Sequence, residues 1–450
     1  MTTIKALPPG CITHILNDCS CKTLHSCLLV SHEWNQTITP AIEHLPLTPK
    51  YCPPWLCKKA PEELLHKYQQ LLPPHILSKQ RLLLPSTLPK ERYELVHKII
   101  PQLFQNVLLD GQVQEAFPDW MISYIKEDTL ELSVLQGIWT LKPPIPASLR
   151  RFSLSPEVDA TQIFIDSNVC LPKLEVLHIH LNVFPRETKY HLQTSFPNLK
   201  ELKLFYDTHE ICALDHIQFP NELKKLDLLR VMTTEQTLSQ ILSTCQNLEE
   251  LSFNISGPSI DTLKPSPFLR KVTIHGSGLT LSFSSVLKFL EKAPKITTLS
   301  LQGNINVDIV NFSRYSPSKT ITEANLMFYS LNPANNFLSS FFKNNKELQD
   351  LTIYLQSSAE LPWPAELKVL RIYGDCTIAT LSSILQRCKK LQELDLRTPI
   401  IQIEQLLQTC DFPDTLTHIG IGAHKGSQAE EDTIIATVRA KVPNATVWMN

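Results

Sequence analysis

The feature that most constrains this chain is a hydrophobic frame that keeps returning. Leu391-Gln392-Glu393-Leu394-Asp395-Leu396 reads L-x-x-L-x-L. The same frame starts at Leu174, Leu199, Leu223, Leu248, Leu269, Ile296, Ile321, Leu348, Leu367 and Leu416, and opens upstream at Leu149. These twelve copies recur at a mean period of about 24 residues, with spacings of roughly 19 to 27. Alternating apolar residues turn one face of a short strand inward. A single such strand cannot bury that face, but stacked copies build a continuous core. Phe104/Val107/Leu109 and Ile125/Leu130 look like degenerate earlier copies, and a last strand is expected near Val447, closing with Trp448.

Between the frames runs a second period. Leu238, Ile241, Leu242 and Cys245 sit at i, i+3, i+4 and i+7, and Leu381, Ile384, Leu385 and Cys388 repeat that spacing. Val286, Phe289, Leu290 and Ala293, then Leu338, Phe341 and Phe342, follow the same rule. These are amphipathic helices of two to three turns. Several repeats therefore read strand, loop, helix. Frame and period resemble the leucine-rich repeat. The resemblance implies an α/β leucine-rich-repeat solenoid, a horseshoe with parallel strands on the concave side and helices on the convex side. An asparagine follows the strand only at Asn182 and Asn304, so there is no continuous asparagine ladder, which favours the helix-bearing, intracellular kind of repeat.

A chain of 450 residues is too long for one compact core, and a solenoid escapes that limit because each repeat meets only its neighbours. The net charge of −2 points to neither a polyanion binder nor an acidic tail. No signal-peptide pattern follows Met1, and no stretch approaches the length of a membrane-spanning helix. The 12 cysteines are accordingly expected to be reduced thiols, with Cys245, Cys388 and Cys410 inward on helices, in a cytosolic or nuclear protein.

The first forty residues differ. Leu7-Pro8 is followed by Ile12, Ile15, Leu16 and Cys19 at helical spacing, then by Leu24, Cys27, Leu28, Val30, Ser31 and Trp34. These are two or three short helices with more apolar positions than forty residues can hide, which points to a partner surface. Leu7-Pro8, Ile15-Leu16, Leu24 through Leu28-Leu29-Val30-Ser31 and Trp34 resemble the F-box motif, over residues 5–44. Gly10-Cys11 and Asn17-Asp18-Cys19 depart from it, where an acidic residue with leucine and an aromatic-leucine pair are usual. The resemblance implies a small all-α hook that docks a Skp-type adaptor and, through it, a cullin–RING ubiquitin ligase. Leu7, Pro8, Ile12, Ile15, Leu16, Leu28, Val30 and Trp34 would carry the docking, and the repeats at 101–450 would select the protein substrate for ubiquitin-dependent degradation. Residues 45–100 are proline-rich, with helices expected near Glu62–Leu72 and Lys90–Ile100, and read as a linker and N-terminal cap.

No catalytic signature is present: no phosphate-binding glycine loop, no H-E-x-x-H and no G-x-S-x-G. Cys19-x-Cys21 and Cys52-x4-Cys57 do not make the paired C-x2-C set of a zinc site. The expectation is a non-catalytic adaptor that needs no cofactor or metal and touches neither nucleic acid nor membrane. A repeat scaffold without ubiquitin chemistry, or an effector that uses its F-box on a host ligase, remains the alternative. In the column one place after each frame, the C-terminal repeats stack Met327, Tyr354, Tyr373 and Arg397, with Arg371 two places before Tyr373. Tyr, Met and Arg are enriched in interface cores. Met327, Tyr354, Arg371, Tyr373 and Arg397 are the expected substrate-binding residues.

Overall fold

The computed structural model describes residues 82–85, 106–110, 129–136, 146–154, 170–180, 190–205, 214, 217–306, 320–328, 334–355, 361–374, 376–397, 411–422 and 428–449, with His66, Glu94, Leu95 and Lys98 as single residues. The candidate adaptor-binding residues Leu7 to Trp34 lie outside them. His66, Glu94, Leu95 and Lys98 have helical backbone, inside the two segments expected to be helices. The chain divides into two compact units, Met1–Lys203 and Leu204–Asn450.

In the first unit the strands are β1 (Leu82–Pro85), β2 (Asn106–Asp110), β3 (Glu131–Gln136), β4 (Arg151–Leu154) and β5 (Val176–His180). They are followed by a two-residue strand β6 (Tyr190–His191), the single turn α1 (Leu192–Ser195) and β7 (Glu201–Phe205), which contains the boundary. β1 to β5 pair in parallel in chain order. Among the described residues, parallel pairing starts at Leu82, inside the segment read as a linker. The register corrects one degenerate copy. Val107 pairs Leu132, Leu132 pairs Phe152 and Val134 pairs Leu154, so the second early frame is Thr129/Leu132/Val134 rather than Ile125/Leu130. A threonine in the leading place hid it. Thr129 is fully buried, and its carbonyl accepts the Ser148 hydroxyl at 2.8 Å, which makes a polar residue tolerable there.

The second unit continues with β8 (Ile217–Gln218), β9 (Lys225–Thr233), α2 (Glu235–Thr244), β10 (Glu250–Ile255), β11 (Lys271–Ser282) and α3 (Phe283–Glu291). Then come β12 (Thr298–Asn306), β13 (Glu323–Phe328), α4 (Ala334–Asn344), β14 (Asp350–Leu355), β15 (Val369–Gly374), α5 (Ile378–Arg387) and β16 (Glu393–Arg397). β17 (His418–Ile421), α6 (Gln428–Lys441) and β18 (Thr446–Met449) close the chain, the last strand where Val447 was expected. β9 to β18 pair in parallel in chain order. Second-place frame residues always meet: Leu251 pairs Val272, Leu351 pairs Leu370 and Leu370 pairs Leu394.

That register is the physical content of the repeat. All three residues of each of the twelve frames are at most 2 % exposed. Burying a side chain of this size stabilises by about 1.5–3 kcal/mol against leaving it in water. The alternate positions point the other way, as the burial pattern of β14 and β15 shows. Just before each strand the backbone locks repeat to repeat: Glu249 N–H donates to Lys224 C=O, Lys368 N–H to Gln349 C=O and Gln392 N–H to Lys368 C=O, each at 2.8 Å. Instead of an asparagine ladder after the strand, a partial polar ladder runs one place before the frame. Asn198 and Asn247 side chains donate to Pro172 and Asn221 carbonyls, and the Thr320 and Thr415 hydroxyls to those of Ile296 and Leu391.

The expected helical stripes are buried: Leu238, Ile241 and Leu242 on α2, Val286, Phe289 and Leu290 on α3, Leu338, Phe341 and Phe342 on α4, Leu381, Ile384 and Leu385 on α5. Cys245 and Cys388 are fully buried, as expected, and stand one residue past the last helical position as the C-cap residues of α2 and α5, each bonding its N–H back to Ile241 or Ile384. Cys410 lies outside the described residues. Among those described, no helix is long and apolar enough to cross a membrane.

Candidate functional site

The polar face of β13 to β16 carries the residues expected to bind a partner. Tyr354 pairs Tyr373 across β14–β15, and Tyr373 pairs Arg397 across β15–β16, so these three form one cross-strand row. Met327 follows Leu326, whose partner is Ile353, the residue before Tyr354. Met327, Tyr354 and Tyr373 are half-buried and Arg397 is exposed. The Arg397 guanidinium carbon lies over the Tyr373 ring, 5.0 Å from its centre, a cation–π contact within the row.

Arg371 sits differently from the other four. It is clamped between neighbouring strands, with Nη1 3.1 Å from Asp350 Oδ1 and Nη2 2.9 Å from Glu393 Oε1. Its side chain is 33 % exposed, so the guanidinium is an internal tie across β14, β15 and β16 more than a free contact. The two ends of this tie respond oppositely. Burial pushes the Asp350 carboxyl above its usual range despite Arg371, and Glu323 and Glu393 add to the rise. For Arg371, burial works against the charge, but Asp350 and Glu393 more than offset it and hold the cation firmly protonated. For Asp350 that rise comes first from burial and only then from its acidic neighbours.

Those carboxylates escaped the sequence reading. Glu323, Asp350 and Glu393 occupy the place four residues before the aromatic column; Glu323 pairs Asp350, and Val369 stands between Asp350 and Glu393. The frame fixes this column as firmly as the aromatic one, so it could have been read from the same spacing. Asp395 stands beside the column in the frame spacing, but its burial is harder to foresee. It lies on the polar face yet is 4 % exposed. Its Oδ2 is 3.3 Å from Arg397 Nε, while Oδ1 is buried with no hydrogen-bond partner. Trp448 from β18 explains the burial. A methyl group on Gly420 would sit 2.6 Å from Trp448 Nε1 and 2.8 Å from Asp395 Oδ1, so only glycine lets the indole lie this close to the strand. The His418 ring lies tilted beside the indole, ring centres 5.9 Å apart.

The N-terminal polar face is built of different groups. His178 Nε2–H donates to Glu201 Oε1 at 2.8 Å, and burial, the largest influence, still pulls the imidazole below its ordinary value. His275, on β11 of the second unit, is likewise depressed by burial, and its Nδ1 has no partner. Nothing in either place sets a nucleophile beside a base.

No protein-family model and no curated protein matches this sequence. Among solved structures, that of the mouse RP105/MD-1 complex is similar, with a TM-score of 0.38 and 12 % identity, over 81 % of this chain and 75 % of that one.

Proposed function

We propose that this chain is a substrate-recognition adaptor of a Skp–cullin–F-box ubiquitin ligase, itself without catalytic chemistry, acting in the cytosol or nucleus. Residues 5–44 would dock the Skp-type adaptor through Leu7, Pro8, Ile12, Ile15, Leu16, Leu28, Val30 and Trp34. The polar face of the repeats would hold the protein substrate. The observation that carries the binding half is the Tyr354–Tyr373–Arg397 row, an aromatic and cationic strip on a rigid parallel sheet. The ligase half rests on the N-terminal motif alone. The described residues by themselves equally favour a repeat scaffold that gathers partners without ubiquitin chemistry.

Two variants separate these readings. Pro8→Ala with Trp34→Ala removes central anchors, each of which typically contributes about 2 kcal/mol or more. Co-purification with a Skp-type adaptor should then collapse while the repeats stay folded. Wild-type yield from this double variant would leave the scaffold reading standing. Tyr354→Ala with Tyr373→Ala should do the reverse, weakening substrate capture and sparing the adaptor.

A further inference from the structure

One place in the second unit breaks a rule that the other repeats keep. The residue just before the leading frame position is polar or charged in eleven of the twelve frames; in the twelfth it is Phe268. Phe268 is 49 % exposed, and among the described residues it is the one large hydrophobic side chain left in water. Its own turn holds it there. The buried Ser266 hydroxyl donates to Gln246 C=O of the previous repeat at 2.6 Å and accepts Phe268 N–H at 3.2 Å, so the ring stands on a fixed base. Lys295, at the same place in the next repeat, lies over the ring with Nζ 5.2 Å from its centre. The charge around the ring is a separate observation. Residues 264–297 carry six lysines and arginines against one carboxylate, Glu291. Lys288 is committed to Asp261 Oδ2, and Lys292 to the carbonyls of Asp261 and Leu263. Lys264, Arg270, Lys271 and Lys295 are exposed and in no ion pair among the described residues. Glu250, which faces Lys271 across β10–β11, pairs Lys225 instead, and Glu249 pairs Lys224.

We propose that this rim just ahead of β11 and β12, Phe268 with Arg270, Lys271 and Lys295, docks an acidic segment of a partner protein. The segment sets an apolar side chain against Phe268, between carboxylates that Arg270 and Lys295 hold. A guanidinium takes a carboxylate through two parallel N–H bonds, and the ring supplies the apolar contact that cations alone lack. Nucleic acid fits less well. Lys295 already covers the single ring, so there is no row of aromatic faces for successive bases, and a net charge of −2 gives no long-range field to gather a polyanion. The rim is separate from the Tyr354–Tyr373–Arg397 row, and the inference depends neither on that row nor on the ligase reading.

The test uses the full chain and a fluorescein-labelled decapeptide, Glu-Asp-Glu-Leu-Asp-Glu-Leu-Glu-Asp-Glu, titrated by anisotropy at physiological salt. A second decapeptide with lysine at every acidic place, a labelled oligothymidylate and phosphatidylserine-containing vesicles serve as competitors. The acidic probe should bind and the lysine probe should not. Phe268→Ala should weaken the acidic probe about tenfold. Arg270→Gln with Lys295→Gln should weaken it several-fold and flatten its salt dependence; all three positions are exposed, and unchanged thermal midpoints confirm the fold. Lys390→Gln, at the same place in a distant repeat and paired with Glu366, should leave binding unchanged. So should Tyr354→Ala with Tyr373→Ala. No binding of the acidic probe, equal affinity in Phe268→Ala, or tighter binding of the oligothymidylate or the vesicles would overturn the proposal. Loss of the probe in the tyrosine variant alone would do so too, by moving the acidic segment to the row.

Discussion

Gly374 ends β15 with φ at +84°, and a Cβ there would meet the Leu355 carbonyl oxygen at 2.3 Å. Gly303 repeats the geometry at the end of the polar run of β12, with φ at +91° and the Gly276 carbonyl at 2.3 Å. Each lets the strand end close against its predecessor. Gly374→Ala should lower stability by about 1–2 kcal/mol from the backbone alone, and further from the clash. Gly257→Ala, with open space around it, should stay within about 0.5 kcal/mol of wild type; urea unfolding midpoints compare the two. His275 gives a pH signature of definite sign. Its imidazole is depressed below 6.5 by burial, so the unfolded chain takes up the proton first. The stability it supports is present above about pH 6.5 and is lost as pH falls towards its folded value. Thermal midpoints should drop between neutral and mildly acid pH, and His275→Gln should flatten that part of the slope.

At the scale of the element, α2 and α5 are built as twins. Thr234 caps α2 by accepting from Thr237 N–H, and Thr377 caps α5 by accepting from Thr380 N–H, each at 3.2 Å. At the other end, the Cys245 thiol donates to Pro220 C=O and the Cys388 thiol to Pro364 C=O, tying each helix to the previous repeat. Thr234→Ala and Thr377→Ala should each cost about 1 kcal/mol. The two thiols are pushed up to about 12 by burial, so neither forms a thiolate at neutral pH. Alkylation of native protein, mapped by mass spectrometry, should mark the exposed Cys170 well before Cys245 or Cys388. Early modification of the two caps would mean that these helices open easily.

For the molecule as a whole, the decisive property is that each repeat meets only its neighbours. Phe253 on β10 is fully buried and packs edge-on against Phe289 of α3, ring centres 6.3 Å apart. Phe253→Ala should remove about 3–5 kcal/mol locally. Hydrogen exchange should then show lost protection in β9 to β12 and retained protection in β16 to β18. A uniform loss across the second unit would mean that the repeats unfold as one block.

The spacing of leucines determined the twelve frames and the phase of their strands, because a parallel stack can bury a period-two face in only one phase; the strand at Leu82–Pro85 and the Thr129 frame escaped it. A one-residue slip would turn Leu370 and Ile372 to the outside and Arg371 inward. The same phase puts Tyr354, Tyr373 and Arg397 in one row. Sequence could not place Thr129, whose burial depends on a carbonyl partner from the next repeat. Nor could it show Arg371 as a clamp, since its two carboxylates lie 21 and 22 residues away and meet it only through the sheet. The burial of Asp395 was further still from reach. It needs a tryptophan 53 positions later in the chain to fold over a glycine between them, which is a matter of side-chain packing and not of pattern. Periodicity is a property of the chain; which polar atom is left without a donor is decided only when distant strands come side by side.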